Sequence, residues 1–160
     1  MKPISDIRVY RSEIPNTDGN LLPSAFAGKK LNVVIHRIVM KLREQNFCLG
    51  DFDHLYLNFT VCADEGTIVP ASRSVDSYHK WYRYYDVGVS REVYQSLDSD
   101  DKIGFIIERI QALLIAFFSD ANACSASECI AEAVDKGEKM LVLYKTKQSL
   151  NMKASVYLQY

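Results

Sequence analysis

Hydrophobic and polar residues alternate along the chain with two different periods, and these periods predict its secondary structure. Between Leu55 and Val61 apolar residues occupy every second position, which is typical of a strand with one buried face. Shorter or weaker versions of this pattern predict further strands at residues 4–13, 67–69, 81–89, 140–146 and 154–160. The last two runs are joined by a polar turn at residues 149–151 and should form a hairpin.

Helical spacing of apolar residues appears in four segments. From Leu31 to about Gln45 it predicts an amphipathic helix, with Arg37, Lys41 and Glu44 on its outer face. Ser90 can cap a short helix over residues 91–97, and the box Ser125-Ala126-Ser127-Glu128 can start one that ends near Gly137. The strongest pattern runs from Ile103 to Phe117, after carboxylates that suit a helix start, and its second half is apolar all round. We therefore expect this segment to be the central core helix.

The order of these elements predicts an α+β fold. Strands come in runs, without strict alternation with helices, and this favours a mostly antiparallel sheet. We expect one domain over residues 1–160, in which the sheet packs against the long core helix and two or three further helices.

Composition and charge indicate which classes of function are compatible with this chain, which the hydrophobic patterns do not. The 160 residues are 48% hydrophobic and 24% charged, which excludes intrinsic disorder, and the net charge of −1 argues against nucleic-acid binding through bulk charge. The charge is unevenly placed: residues 1–50 carry eight basic and four acidic groups, residues 51–100 four and nine, and residues 101–160 seven of each. The acidic middle of the chain favours a basic protein partner over nucleic acid.

Signals for export, membrane insertion and common catalytic chemistry are not found in the sequence. We see no secretory leader, no apolar run of membrane-spanning length and no CxxC pair, so we expect a cytoplasmic protein with buried, reduced cysteines. There is no nucleophile elbow, no glycine-rich phosphate loop and no paired histidine motif. We predict no cofactor, no metal site and no enzymatic activity.

One segment mixes aromatic and basic residues, Tyr78 to Tyr85, within the acidic middle of the chain. Aromatic side chains supply large, stiff contact area at interfaces, while carboxylates can steer a positive surface. The candidate anchors are Tyr78, Trp81, Tyr82 and Tyr84. The candidate steering groups are Asp51, Asp53, Asp64, Glu65, Asp86, Asp98 and Asp100. The alternative is that these tyrosines only pack half-buried on a sheet and that the acids are merely solvated.

Two other functions stay open at this point. His54 follows two carboxylates, Asp51 and Asp53, and this pattern could support general acid–base chemistry in a small hydrolase. Arg37, Lys41 and Arg43 on the first long helix could instead contact nucleic acid in a regulator.

Parts of the chain resemble bacterial immunity proteins of contact-dependent growth inhibition and related polymorphic toxin systems. The resemblance spans roughly residues 54–147 and is a pattern of elements, with no catalytic signature. It is carried by the run Tyr84-Tyr85-Asp86-Val87-Gly88-Val89-Ser90, by Val93, Tyr94 and Leu97, by Asp101-Lys102 at the start of an apolar helix, and by Met140-Leu141-Val142-Leu143-Tyr144-Lys145.

The resemblance implies a small, cytoplasmic, single-domain α+β protein without catalytic activity. Such a protein binds its cognate toxin domain and blocks the active site or access of substrate. Many such toxins are nucleases with basic clefts, including tRNA-cutting ribonucleases of the EndoU type. The partner implied is thus a protein, without direct contact to nucleic acid or membrane, and the resemblance assigns no binding residue.

Overall fold

A computed structural model describes residues 2–17, 19–22, 29–73, 79–118 and 123–159. The strands in these ranges are β1 (Asp6–Ser12), β2 (Asn20–Leu22), β3 (His54–Thr60), β4 (Ile68–Pro70), β5 (Tyr82–Gly88), β6 (Leu141–Ser149) and β7 (Met152–Gln159). The α-helices are α1 (Lys29–Glu44), α2 (Arg91–Ser96), α3 (Ile103–Phe117) and α4 (Ala123–Lys136). The mixture of helices and sheet confirms the predicted α+β class.

The strands form two sheets. The larger has the order β2-β1-β3-β5-β4, and the smaller consists of β6 and β7. Within the described ranges, β1, β3 and β5 run parallel at the centre of the large sheet, whereas β2, β4 and the β6–β7 hairpin pair antiparallel. Three of these five strand pairs are antiparallel, as expected, but in the large sheet β2 and β4 flank a parallel centre that the sequence did not indicate.

The hydrophobic core lies on one face of the large sheet. Leu55, Leu57 and Phe59 on β3 are completely buried, as is Val87 on β5. They belong to one cluster with the apolar residues of α1, α3 and α4. Ring contacts such as that of Phe59 with Phe105 on α3, at 6.1 Å between centroids, tie the helices to this face. We call it the helix face.

Helix α1 is confirmed, but the prediction for its outer face is wrong in part. Arg37 and Lys41 are only 9% and 7% exposed, because α4 packs against the side of α1 that was expected to meet solvent. Lys41 Nζ lies 2.8 Å from Glu44 and 3.0 Å from Glu132 on α4, so two carboxylates compensate its buried charge. Val33, an apolar residue of the same helix, is 45% exposed.

The remaining helices follow the sequence with small departures. The backbone N–H of Val93 donates to the hydroxyl of Ser90, which caps α2 as predicted. A 3₁₀ turn at Asp100–Lys102 precedes α3. Ile106, Ile110 and Leu113 are fully buried on α3, but Ile115 and Phe117 stay about 40% exposed, so its second half is only partly covered.

The last helix and the hairpin lie where they were expected. Helix α4 already includes Ala123, so it begins before the predicted capping box, and it ends at Lys136 next to Gly137. The hairpin of β6 and β7 is confirmed and is longer than predicted. The expectation of buried cysteines is correct for Cys129, but it is wrong for Cys62, whose free thiol is exposed, and Cys48 is a free thiol that is only half-buried. None of the helices in the described ranges has the length and apolar character needed to cross a membrane.

The surroundings of Gly88 and Gly104 predict opposite effects of substitution by alanine on stability. A Cβ on Gly88 would lie 1.9 Å from the carbonyl oxygen of Asp64, so Gly88→Ala should lower the free energy of unfolding by about 2 kcal/mol or more. Gly104 on α3 is not closely packed, because a Cβ there would meet nothing within 4 Å. Gly104→Ala should therefore raise the free energy of unfolding by about 0.5–1 kcal/mol. Urea unfolding of both variants checks this, and equal effects at the two positions would contradict the packing described.

Candidate interaction surface

The second face of the large sheet carries tyrosines. Because β1, β3 and β5 share one parallel register, their even-numbered residues point away from the helix face. Tyr10, Tyr56, Tyr82 and Tyr84 therefore lie together, and Tyr56, although buried, is not part of the helix-side core. We call this side the tyrosine face and include His54, Asn58, Asp86 and Arg8 in it.

Tyr56 is the centre of the tyrosine face. Its ring centroid lies 4.9 Å from that of Tyr82, 5.2 Å from that of Tyr84 and 5.7 Å from that of Tyr10. The Arg8 guanidinium carbon is 5.6 Å from the same ring centroid. Tyr56 is only 2% exposed, and its burial raises the pKa of its phenol well above the ordinary value. These contacts hold Tyr10, Tyr82 and Tyr84, which are half-buried, in a fixed array.

Beside the rings lies a small polar network. Asn58 Nδ2 donates to Asp86 Oδ1 at 3.0 Å, and Arg73 Nη2 donates to the same oxygen at 3.2 Å. The Arg73 guanidinium also lies 4.9 Å from the Tyr84 ring centroid. The charge of the predicted steering group Asp86 is thus largely balanced by Arg73, while Asp86 helps to hold Tyr84 in place through that arginine.

Apolar side chains flank the tyrosine face on both edge strands. Leu21 on β2 pairs with Tyr10, and Val69 on β4 pairs with Asp86, so both point to the same side as the tyrosines. Leu21 is 49% exposed and Val69 is 42% exposed. The face thus presents apolar and aromatic contact area from one edge of the sheet to the other.

The end of the sheet where β3 and β5 begin holds three further predicted residues. Trp81, Asp51 and Asp53 line a cavity of about 620 Å³ together with Lys2, Lys80 and Arg83. Arg83 Nη2 donates to Asp51 at 3.2 Å, and the Asp51 side chain is 81% exposed. Trp81 packs edge-on against Tyr82 at 5.8 Å, so this cavity adjoins the tyrosine face.

The other predicted acids do not join this group. Asp64 and Glu65 are exposed in the turn after β3, at the opposite end of the parallel strands. Asp98 accepts two hydrogen bonds from Arg11, both at 3.1 Å, and Asp100 pairs with Lys30 at 2.8 Å. The acidic middle of the chain therefore divides into separate regions because its residues belong to opposite ends of the strands. Tyr78 lies outside the described residues.

Sequence reasoning missed four members of the tyrosine face: Arg8, Tyr10, Tyr56 and Asn58. Tyr10 and Tyr56 alternate with buried aliphatic residues on β1 and β3, and this alternation marks them as belonging to the second face. What the sequence could not indicate is that β1 and β5 both pair with β3, which brings the side chains of Arg8, Tyr56 and Tyr84 into one row.

The candidate general base has one of its two predicted carboxylates as a partner. His54 Nδ1 lies 2.6 Å from Asp53 Oδ1, and the His54 ring packs against Tyr82 at 4.8 Å. Asp51 pairs with Arg83 instead. Across the described ranges, no group of three or more histidine, cysteine, aspartate or glutamate side chains is arranged to hold a metal ion.

The candidate nucleic-acid surface on α1 is largely occupied by intramolecular contacts. Lys41 is held between Glu44 and Glu132, and the hydrogen bonds with these carboxylates raise the pKa of Lys41 against the lowering effect of its desolvation. Arg37 is buried as well, which leaves Arg43 as the exposed member of the predicted trio.

Tyr56 should make stability depend on pH in the alkaline range. Its pKa is raised above the ordinary value of 10.0 in the folded chain, so the stability linked to its neutral form is lost as pH rises above about 10. Tyr56→Phe should reduce this loss and, near neutral pH, change the free energy of unfolding by less than about 1 kcal/mol. Urea unfolding at a series of pH values measures both effects, and an identical alkaline slope in wild type and variant would contradict them.

Lys41 should matter for folding rather than for nucleic-acid contact. Lys41→Ala leaves two carboxylates without their shared cation and should lower the free energy of unfolding by about 2 kcal/mol. Arg43→Ala, on the exposed side of the same helix, should change it by less than about 0.5 kcal/mol. Thermal unfolding compares the pair, and steep salt-dependent heparin binding that is lost in both variants would instead favour the nucleic-acid function.

Comparisons with known proteins provide no relative from which a function can be transferred. No protein-family model, no curated protein and no solved structure matches this chain. A function for this chain must therefore be inferred from the tyrosine face and its surroundings.

Proposed function

We propose that this chain is an immunity protein that binds a bacterial toxin domain and neutralises it by covering its active site or substrate cleft. The observation that carries this proposal is the tyrosine face, where an ordered aromatic cluster lies on the side of the sheet opposite the helix-side core. The resemblance of residues 54–147 to immunity proteins supports the choice of partner.

The composition of the tyrosine face suits a protein partner. Tyrosine and arginine are, together with tryptophan, enriched at the energetically dominant positions of protein interfaces. The rings of Tyr82 and Tyr84 are already held against Tyr56, so binding would cost little side-chain entropy. Leu21 and Val69 extend the contact area at both edges. The partner should therefore bind through shape and apolar contact at the centre of this face.

Charge should act mainly at the rim. On the tyrosine face Arg8 pairs with Asp6 at 2.6 Å and Arg73 pairs with Asp86 at 3.2 Å, so the centre is close to neutral. Asp51 is exposed at one end of the strands, and Asp64 and Glu65 are exposed at the other. These carboxylates can speed the approach of a basic cleft, such as that of an EndoU-type ribonuclease, without supplying most of the affinity.

A small hydrolase is the second candidate function, because Asp53 orients His54 at hydrogen-bond distance as a general base requires. His54→Gln separates the two proposals. A hydrolase would lose its activity, whereas under the immunity proposal neutralisation of the toxin would persist and at most weaken, because the His54 ring packs against Tyr82 on the tyrosine face.

Partner identification is the first experiment. The tagged chain should be purified from its native host, and a toxic domain should co-purify in stoichiometric amount. Co-expression with the chain should then restore growth of cells that produce this domain. Recovery of a folded chain without such a domain, or a domain whose toxicity the chain does not reduce, would contradict the proposal.

Alanine substitution locates the interface. Tyr82→Ala or Tyr84→Ala should weaken binding to the co-purified domain by about 2 kcal/mol or more, close to 30-fold, because each removes an ordered ring from the tyrosine face. Tyr144→Ala is the matched control, since Tyr144 is 68% exposed on the hairpin and outside this face. Isothermal titration calorimetry measures the three affinities. Unchanged affinity in folded Tyr82 and Tyr84 variants would show that the interface lies elsewhere.

A further inference from the structure

The two sheets differ in how their edges are protected. The edges of the large sheet are β2 and β4, each only three residues long, and β4 ends at Pro70. The hairpin strands β6 and β7 are nine and eight residues long, and nearly all their side chains are exposed. Long exposed edges are templates for pairing with another chain, whereas short edge strands and proline discourage it.

The two edges of the hairpin are not equivalent. Strand β6 contains an irregularity between Leu143 and Lys145, and the backbone N–H of Leu143 donates to Glu44 Oε1 on α1 at 3.0 Å. Strand β7 pairs without interruption, carries Lys153 as its single charge and contains neither proline nor glycine. Because charge, proline and bulges are the usual protections of an edge, β7 is the open one.

An isolated two-stranded hairpin is also marginally stable in water. This one exposes large apolar side chains on both strands, among them Tyr144 at 68%, Met152 at 76%, Val156 at 52% and Tyr157 at 53%. A third strand along β7 would satisfy the backbone groups of this edge and cover part of that apolar surface.

We propose that β7 pairs antiparallel with β7 of a second copy of the chain, forming a four-stranded sheet across a two-fold axis. A second copy fits because the strand is complementary to itself. With the axis at Ser155, Met152 faces Leu158, Ala154 faces Val156 and Lys153 faces Tyr157 of the other copy, so apolar residues oppose apolar residues and no two charges of the same sign are opposed. This inference does not depend on the proposed function, and the hairpin joins the body through α1 on the helix side, away from the tyrosine face.

Light scattering after size-exclusion chromatography tests the oligomeric state of the full chain. At high micromolar concentration the mass should be twice 18.2 kDa, and it should fall toward 18.2 kDa on dilution. A mass of 18.2 kDa at every concentration would overturn the proposal and leave the β7 edge to a different partner.

A matched pair of lysine substitutions tests the placement of the interface. Thr146 and Ser155 face each other across the hairpin, and their hydroxyl oxygens lie 3.2 Å apart, so replacing either one loses the same contact. Ser155→Lys brings two lysines near the proposed axis and should raise the dimer dissociation constant at least ~10-fold. Thr146→Lys adds the same charge on β6 and should leave the dimer intact.

The two variants also control for folding of the hairpin. If Ser155→Lys and Thr146→Lys both abolish the dimer, circular dichroism and hydrogen exchange at β6 and β7 show whether the hairpin has unfolded. Loss of the dimer in both variants with both hairpins protected would overturn the placement on β7, and so would a dimer that persists in Ser155→Lys. In the case of unfolding, Ser155→Glu provides the same comparison with Thr146→Glu, and only the β7 variant should dissociate.

Discussion

The parallel register that joins β1, β3 and β5 determines the organisation of the whole molecule. Because odd-numbered residues pair with odd-numbered residues across these three strands, the odd-numbered residues form one side of the sheet and the even-numbered residues form the other. The odd set, with Leu57 at its centre, is covered by the helices, and the even set, with Tyr56 at its centre, forms the tyrosine face. A register shift of one residue in β5 would turn Tyr82 and Tyr84 toward the helices and Tyr85 and Val87 toward the tyrosine face, and this would disrupt both surfaces.

The same register explains why the acidic middle of the chain does not form one acidic surface. Parallel strands place the residues that precede them at one end of the sheet and the residues that follow them at the other. Asp51 and Asp53 therefore lie far along the strand direction from Asp64 and Glu65. Asp86 and Asp98 are neutralised within the fold by Arg73 and Arg11. Regional net charge along the sequence therefore does not correspond to one acidic surface of the fold.

The elements of this fold could be predicted from local patterns, but their arrangement could not. The alternation of Leu55, Leu57 and Phe59 with polar residues predicted β3, and helical spacing predicted α1 and α3. Alternation usually indicates antiparallel sheets with one solvated face, whereas central parallel strands are usually apolar on both faces. Here the centre is parallel, but the helices that the structure describes cover only one face, so the sequence carried the antiparallel signature. The predicted exposure of Arg37 and Lys41 was wrong for a related reason. These side chains are buried by the contact of α1 with α4, which is a long-range contact that local sequence patterns do not indicate.

The most direct test of this account is a hydrogen-exchange and side-chain footprinting map of the chain in complex with its co-purified partner. The account predicts that Tyr10, Tyr82 and Tyr84, together with Leu21 and Val69, become protected on binding, while the exposed surfaces of α3 and α4 remain as accessible as in the free chain. Protection confined to the helix side, with the tyrosine face still accessible, would contradict it.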